Sequence, residues 1–445
     1  MTKIRIRSLL AVTAILLLAV AQNLPAQLRG PRDPGVRGGP AGAGGPIDKL
    51  TADESEMFTA GLEEFSEEDG ITEGLGPRFN FVSCAGCHQE PAIGGTSPAA
   101  NPLFRVIADL QFSGNSIPSF IRPNGPIREA RFQYNPDGSR DGGVHALFVI
   151  TGHPEAGSCN LRQEEFETQV SNRNITFRIP TPVFGAGLIE QVADSAILAN
   201  LSANSFIKRS FGISGRPNRN GNDGTITRFG WKAQNKSLLI FSGEAYNVEM
   251  GITNEAFQQE RDETPNCQFA TVPNTVTPSV RQVSPIEGFA NFQRFLAPPT
   301  PVASFGNASA TSIGHGRQLF TIVGCALCHT PTLRTRDTTV VALGNQSVNL
   351  YSDLALHQMG PGLADDILQG AARGDEFRTA PLWGLGQRIF FLHDGRTTDL
   401  LEAIRAHKSD ATIRFGPSEA NTVINRFIGL SDGDTQDLLN FLRSL

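Results

Sequence analysis

Two pentapeptides constrain this chain more than anything else in it: Cys84-Ala85-Gly86-Cys87-His88 and Cys325-Ala326-Leu327-Cys328-His329. C-x-x-C-H is the attachment signature of a c-type haem. The two thiols add to the two vinyl groups of the porphyrin, so their spacing must match the macrocycle. The histidine that follows is held beneath the iron as its proximal ligand. The sequence therefore predicts two covalently bound c-type haems. Cys84, Cys87, His88, Cys325, Cys328 and His329 are the expected attachment residues, with His88 and His329 on the irons. Two plainer readings compete. Four cysteines in two C-x-x-C pairs could hold one structural zinc, but that reading needs neither adjacent histidine. A thioredoxin-like redox pair belongs beside a βαβ pattern, and none surrounds either motif.

Export is the second expectation. Lys3, Arg5 and Arg7 precede an apolar run from Leu9 to Val20 that is too short to span a bilayer comfortably. Ala19-Val20-Ala21 fits a small-x-small cleavage site, and a cut after Ala26 is the alternative. Residues 1–26 thus read as a signal peptide. No later stretch is long and apolar enough to cross a membrane, which predicts a periplasmic or otherwise exported protein, free of the membrane after cleavage. Export agrees with haem chemistry, because c-type haem is attached outside the cytoplasm in bacteria. Of the 6 cysteines, Cys159 and Cys267 lie outside the pentapeptides. An oxidising compartment favours their pairing, although two free buried thiols are the alternative. A net charge of −6 with no basic patch argues against a nucleic-acid partner.

The 445 residues suffice for two or three domains with cores of their own. Residues 27–47 form a Gly/Pro-rich tract that reads as a flexible linker. A helix is expected from Asp48 to Phe65, with Phe58, Leu62 and Phe65 on one face. From about 104 to 281 short β-branched and aromatic runs, such as Val144 to Ile150 and Asn174 to Ile179, suggest a β-containing insertion over the first haem motif. Helix returns from Ile286 to Leu296 and stops at Pro298-Pro299. The plan then repeats: a short helix from Gly314 to Phe320, the second haem motif, and a closing helix from Asp434 to Leu445. The fold expected is mainly α with a β-containing insertion. Two cytochrome c-like domains, 48–299 and 300–445, would each bind one haem.

The sixth ligand of each iron decides the function. Two strong protein ligands make an electron carrier, whereas an open position allows peroxide or oxygen chemistry. His407 is the best second ligand for the His329 iron. It ends the segment Asp399 to His407, in which Asp399 and Glu402 resemble a capping box and Leu400, Ile404 and His407 share a face. A core histidine bonded to a carbonyl is the plainer alternative. For the first haem no partner stands out among His145, His153, His315, His357, Met250 and Met359, so an open site is the simplest reading. Acid–base help there would need a carboxylate, amide or imidazole. Glu190 and Glu249 are weak candidates, with surface roles the plainer alternative. Trp231 and Trp383, the only tryptophans, could relay electrons or pack in the core.

The two haem motifs, Arg228 to Ala233, Met250-Gly251-Ile252-Thr253, Arg378 to Gly384 and Leu392-His393-Asp394-Gly395-Arg396 together resemble the di-haem oxidoreductases sometimes labelled "thiol oxidoreductase-like". The resemblance runs from about Gly61 to Leu445. That group is similar to the bacterial di-haem cytochrome c peroxidases and to the MauG-like enzymes. It implies a peroxide-reactive haem in the N-terminal domain and an electron-accepting haem in the C-terminal one. A small electron-donor protein would be the partner, and hydrogen peroxide or another small oxidant the substrate. In the peroxidases an H-x-G segment lies about fourteen residues ahead of a methionine that ligates the second iron, and His407 stands at that spacing from His393. The displaceable distal histidine that follows the first haem motif in those enzymes has no counterpart here. Their inter-haem calcium site uses carbonyls just before the H-x-G histidine, here Gln387 to Leu392, which leaves calcium as an option. Two alternatives remain: a MauG-like oxidase of a protein or organic substrate acting through Trp231 or Trp383, and a non-catalytic electron-transfer protein.

Overall fold

A computed structural model describes residues 30–109, 112, 114–269 and 283–445. The expected signal peptide lies outside the described residues. In chain order the helices are α1 (Ala52–Ser66), α2 (Cys84–Cys87), α3 (Leu103–Asp109), α4 (Phe166–Ser171), α5 (Ala186–Glu190), α6 (Asp194–Ser202) and α7 (Ser205–Ser210). Then come α8 (Leu238–Met250), α9 (Pro285–Phe295), α10 (Ala310–Val323), α11 (Leu400–Arg405), α12 (Asn421–Ile428) and α13 (Asp432–Ser444). The strands are short: β1 (Arg78–Phe79), β2 (Glu129–Phe132), β3 (Val144–His145), β4 (Phe148–Val149), β5 (Ile175–Arg178), β6 (Leu333–Arg334), β7 (Ser347–Val348), β8 (Leu356–Gln358) and β9 (Glu376–Arg378). They pair antiparallel as β3-β2-β5, β1-β4, β6-β7 and β8-β9. The chain is thus mixed helix with small sheets, and among the described residues no helix is long and apolar enough to cross a membrane.

Two apolar cores organise it. In the first, α1 packs on α9. A capping box of Thr51 and Glu54 starts α1, and its Phe58 and Phe65 rings lie 5.4 and 4.8 Å from Phe292. The backbones come close because Gly61 has no side chain: a Cβ there would stand 2.4 Å from the Gly288 carbonyl oxygen. The second core repeats this device. A Cβ on Gly316 of α10 would stand 1.9 Å from the Asp437 carbonyl oxygen of α13. In both cores the helix ahead of a haem motif is crossed by a later helix at a glycine. The same helix also sends a phenylalanine to the motif histidine: Phe65 lies 5.9 Å from His88, and Phe320 lies 6.4 Å from His329.

Three features depart from the sequence reading. The segment 104–281 does contain the three-stranded sheet, but it also holds α4 to α8. Of these, α8 buries Leu238, Tyr246 and Met250 in the first core. Helix-length apolar segments had been masked by the Gly, Pro and Asn clusters between them. The chain also crosses between the cores: Leu343, Val348 and Trp383 join the first, and Ile213 the second. Finally, the described part of the tract read as a flexible linker is tied down. Asp33 bonds to Arg443 at 2.6 and 2.7 Å, the Gly45 carbonyl accepts from Ala297 N, and Ile47 N donates to the Phe295 carbonyl. Composition suggested no core there, but backbone hydrogen bonds and one buried ion pair hold a strap without one. Cys159 and Cys267 form a disulfide across 108 residues.

Candidate functional site

Each pentapeptide opens onto its own cavity. At the first, Ser83 caps α2 by accepting from Gly86 N at 3.2 Å. Gly86 is required, since a Cβ would meet the Phe81 ring at 1.9 Å. The loop after α2 folds back until the Gly95 carbonyl accepts from His88 Nδ1 at 2.9 Å. At the second motif His329 Nδ1 bonds the Tyr351 carbonyl at 3.0 Å. This contact on Nδ1 fixes the tautomer and leaves Nε2 as the free lone pair. Burial pushes both rings down to about 4, and His407 adds to the effect at His329, so both are neutral donors near pH 7. Burial also pushes the Cys84 and Cys87 thiols upward, and Cys325 to about 12. These are not the low-pKa sulphurs of a redox pair. The two pairs line different cavities, and among the described residues no group of three or more His, Cys, Asp or Glu is arranged for a metal ion. That disposes of the single shared zinc.

The second cavity, about 210 Å³, is lined by Cys325, Cys328 and His329 together with His407, Met359 and His393. Asp399 caps α11 through Leu401 N and Glu402 N. Its expected reciprocal partner Glu402 turns instead to Thr397 Oγ1 at 2.7 Å. His407 Nδ1 donates to the Ala403 carbonyl at 2.8 Å, so its Nε2 is the free nitrogen. Arg378 and Arg388 also line this cavity. Burial lowers both to about 10, and neither meets a carboxylate among the described residues. Buried cations without counter-ions point to an anion from outside the chain, and the two propionates of a haem are of the right kind.

The first cavity, about 160 Å³, brings Cys84, Cys87 and His88 together with Glu249, Glu129, Arg131 and Trp231. Asn80 Nδ2 donates to Glu249 Oε2 at 2.7 Å, and Arg131 Nε donates to Glu129 Oε1 at 2.6 Å. The two carboxyls are hydrogen-bonded to each other. Burial and the neighbouring Glu129 hold Glu249 well above the ordinary carboxyl range. Arg131 and Arg178 outweigh burial at Glu129 and hold it below that range. One carboxylic acid therefore donates to one carboxylate.

The other sequence candidates sort plainly. Glu190 accepts from Leu238 N at the start of α8 and from Arg294 Nε at 3.0 Å, so it is a helix cap and ion pair rather than a cavity residue. Trp383 lines neither large cavity and packs against Gly185. Trp231 lines both, with its indole N–H on the Ile179 carbonyl at 2.9 Å. Of the six residues weighed for the first iron, Met250 lines that cavity, while Met359 and His357 line the second. His145, His153 and His315 bond to Asp141, Glu155 N and Asp437. Within the stretch weighed for calcium, Gln387 to Leu392, the Arg388 carbonyl accepts from the Arg443 guanidinium at 2.9 Å. Sequence reading missed Glu129 and Arg131. Charged residues two apart on a strand share a face, but no spacing rule ties them to a glutamate on α8.

Residues 131–445 match the family model described as "Di-haem oxidoreductase, putative peroxidase". The chain belongs to the di-haem oxidoreductase family. The family implies haem as a cofactor, and the paired thiols, neutral histidines and unpaired arginines that line these cavities fit that group. The match contains the second haem motif, while the first precedes it. Among curated proteins no relative matches. Among solved structures the chain is similar to Kuenenia stuttgartiensis hydrazine synthase, at 14% identity and TM-score 0.37 over 93% of this chain and 97% of that one. It is also similar to a MauG-like protein associated with microbial copper homeostasis, at 16% identity and TM-score 0.27 over 57% of this chain and 89% of that one. Likenesses this low bear on neither fold nor function.

Proposed function

We propose that this oxidoreductase is an exported peroxidase with one covalent c-type haem on each pentapeptide, in two cytochrome c-like domains. Electrons from a small donor protein enter at the His329 haem and pass the Trp231 wall to the His88 haem, where hydrogen peroxide is reduced. The asymmetry of the cavities carries this reading. The second holds His407, with its Nε2 free, in one cavity with His329, and the two imidazoles would be the ligands of one haem. The first offers Glu249 as a buried acid in place of a second histidine.

Haem at the first site supplies the electrons and the point of attachment for peroxide. The chain relays the protons. Reduction of one peroxide to two waters consumes two electrons and two protons, both drawn in the end from solvent. Glu249, oriented by Asn80, would give its proton to the departing oxygen and be recharged from solvent. Glu129, kept ionised by Arg131, would take a proton from the incoming peroxide and return it to the second water, whose other proton comes from solvent. This is general acid–base work by two carboxyls whose environments push them apart. At the other haem, imidazole from His407 in place of a thioether lowers the potential, since methionine ligation raises it.

Reduced holoprotein should bind one CO per chain, at the His88 haem. Two or none would overturn the ligand assignment. In Glu249→Gln, peroxide turnover should drop by about 10²- to 10⁴-fold with both haem spectra retained. Turnover within a factor of two of wild type would remove Glu249 from the mechanism.

A further inference from the structure

The elements around the second haem motif carry a surface that the proposed chemistry does not use. Asn200 of α6 bonds Thr330 Oγ1, next to His329, at 3.0 Å. Phe211, just past α7, lies against Gly324 immediately ahead of Cys325, and its ring sits 5.0 Å from the Arg426 guanidinium of α12. Helices α6, α7, α10 and α12 thus gather at the pentapeptide. They have 9, 6, 14 and 8 residues, yet carry five of the fourteen large apolar side chains exposed among the described residues. These are Leu198, Phe206, Ile207, Ile322 and Ile428, with Phe206 78% exposed. Exposed apolar residues gathered in this way mark interaction surfaces.

Basic residues outnumber acidic ones along the same helices. From 195 to 215, from 316 to 330 and from 420 to 431 there is no Asp or Glu, whereas Lys208, Arg209, Arg317 and Arg426 fall there, in a chain of net charge −6. Lys208 is turned onto the Asn200 and Leu201 carbonyls. The bordering Glu419 is buried and turned onto Ser214 and His357. Arg209, Arg317 and Arg426 are exposed.

We infer that this face docks a small redox protein whose cofactor edge is apolar and whose rim is acidic. The inference rests on the reading that electrons enter at the His329 haem, and it names the partner class and the place. Electron tunnelling falls steeply with distance, so a donor must sit against the haem edge. An apolar centre excludes water there, while separated charges steer the encounter without a permanent complex.

The test uses holoprotein and two donors, plastocyanin (acidic) and mitochondrial-type cytochrome c (basic), in stopped flow without peroxide. Reduction of the His329 haem should be at least tenfold faster with plastocyanin and should slow as salt is raised. In Phe206→Ser/Arg209→Glu that rate should fall at least tenfold, and binding of redox-inert cadmium plastocyanin should weaken in parallel. Reduction by dithionite should be unchanged. An unaltered plastocyanin rate in the variant, a preference for the basic cytochrome, or a dimer in wild type that the variant dissolves would overturn the inference. Donor docking intact in a protein that leaves peroxide unconsumed would instead sink the peroxidase reading alone.

Discussion

Both ring nitrogens of His357 meet carboxylates, Glu419 at 2.8 Å and Asp353 at 2.9 Å, beside Cys328 of the second pentapeptide. Burial alone would favour the neutral ring. The Cys328 sulphur and Asp353 outweigh it and hold the ring charged. A thioether carries no charge, so with haem attached Asp353 and Glu419 are left to oppose burial. Asp353 and Glu419 are in turn held below their ordinary values, although burial opposes this at both. The signs set a window. The raised His357 contributes stability that is full below its unfolded value near 6.5 and fades as pH rises through the folded one. The lowered carboxyls contribute above their unfolded values of 3.8 and 4.5 and fade as pH falls through the folded ones. His357→Gln should therefore cost about 3 to 5 kcal/mol in urea unfolding near pH 5.5, with a smaller gap to wild type once pH passes the folded value. A gap that does not narrow in alkali would mean that the imidazole serves packing and not charge. Residues of this kind are hard to read from sequence. His407 could be singled out because a cap and the spacing from His393 flank it, and it lines the cavity of His329, whereas Asp353, His357 and Glu419 meet only in the fold.

Among the elements, the amphipathic helices were the legible part. The stripes of Phe58 and Phe65, of Phe289 and Phe292, and of Leu438 and Phe441 fall in helices close to the expected bounds, and all six are buried. The strands were less so: the run from Val144 to Ile150 breaks into β3 and β4, because its two halves pair with strands of different sheets, β3 with β2 and β4 with β1. What no stripe displays is where two helices cross. That is set by Gly61 and Gly316, whose missing side chains allow backbone contact. Gly316→Ala forces a methyl to within 1.9 Å of a main-chain oxygen that cannot rotate away. It should cost about 1 to 3 kcal/mol, read as a lower urea midpoint. Gly314→Ala, two residues earlier in the same helix and with nothing within 4 Å of its Cβ, should be neutral or slightly stabilising. Equal losses for both would show that helix propensity, not the crossing, is being measured.

For the whole molecule, the decisive contact is one that composition argued against. Arg443 of α13 is fully buried. It reaches Asp33 with two nitrogens and spends the third on the carbonyls of Leu385, Gly386 and Arg388. Asp33 also accepts from Leu400 N at 2.8 Å, at the start of the helix that precedes His407. The strap thereby links the last helix, α11 and, through Gly45 and Ile47, the end of α9 in the other core. Asp33→Ala leaves a buried guanidinium without its carboxylate. Loss of one partner of such a pair costs about 3 to 5 kcal/mol. Because Asp33 also holds the first turn of α11, the variant should loosen the segment carrying His407 before the first core is affected. Hydrogen exchange should therefore accelerate in 399–407 and at the C-terminal end of α13, while α1 and α8 keep their protection. Uniform acceleration through both cores would mean that the strap sets global stability rather than the placement of the segment carrying His407.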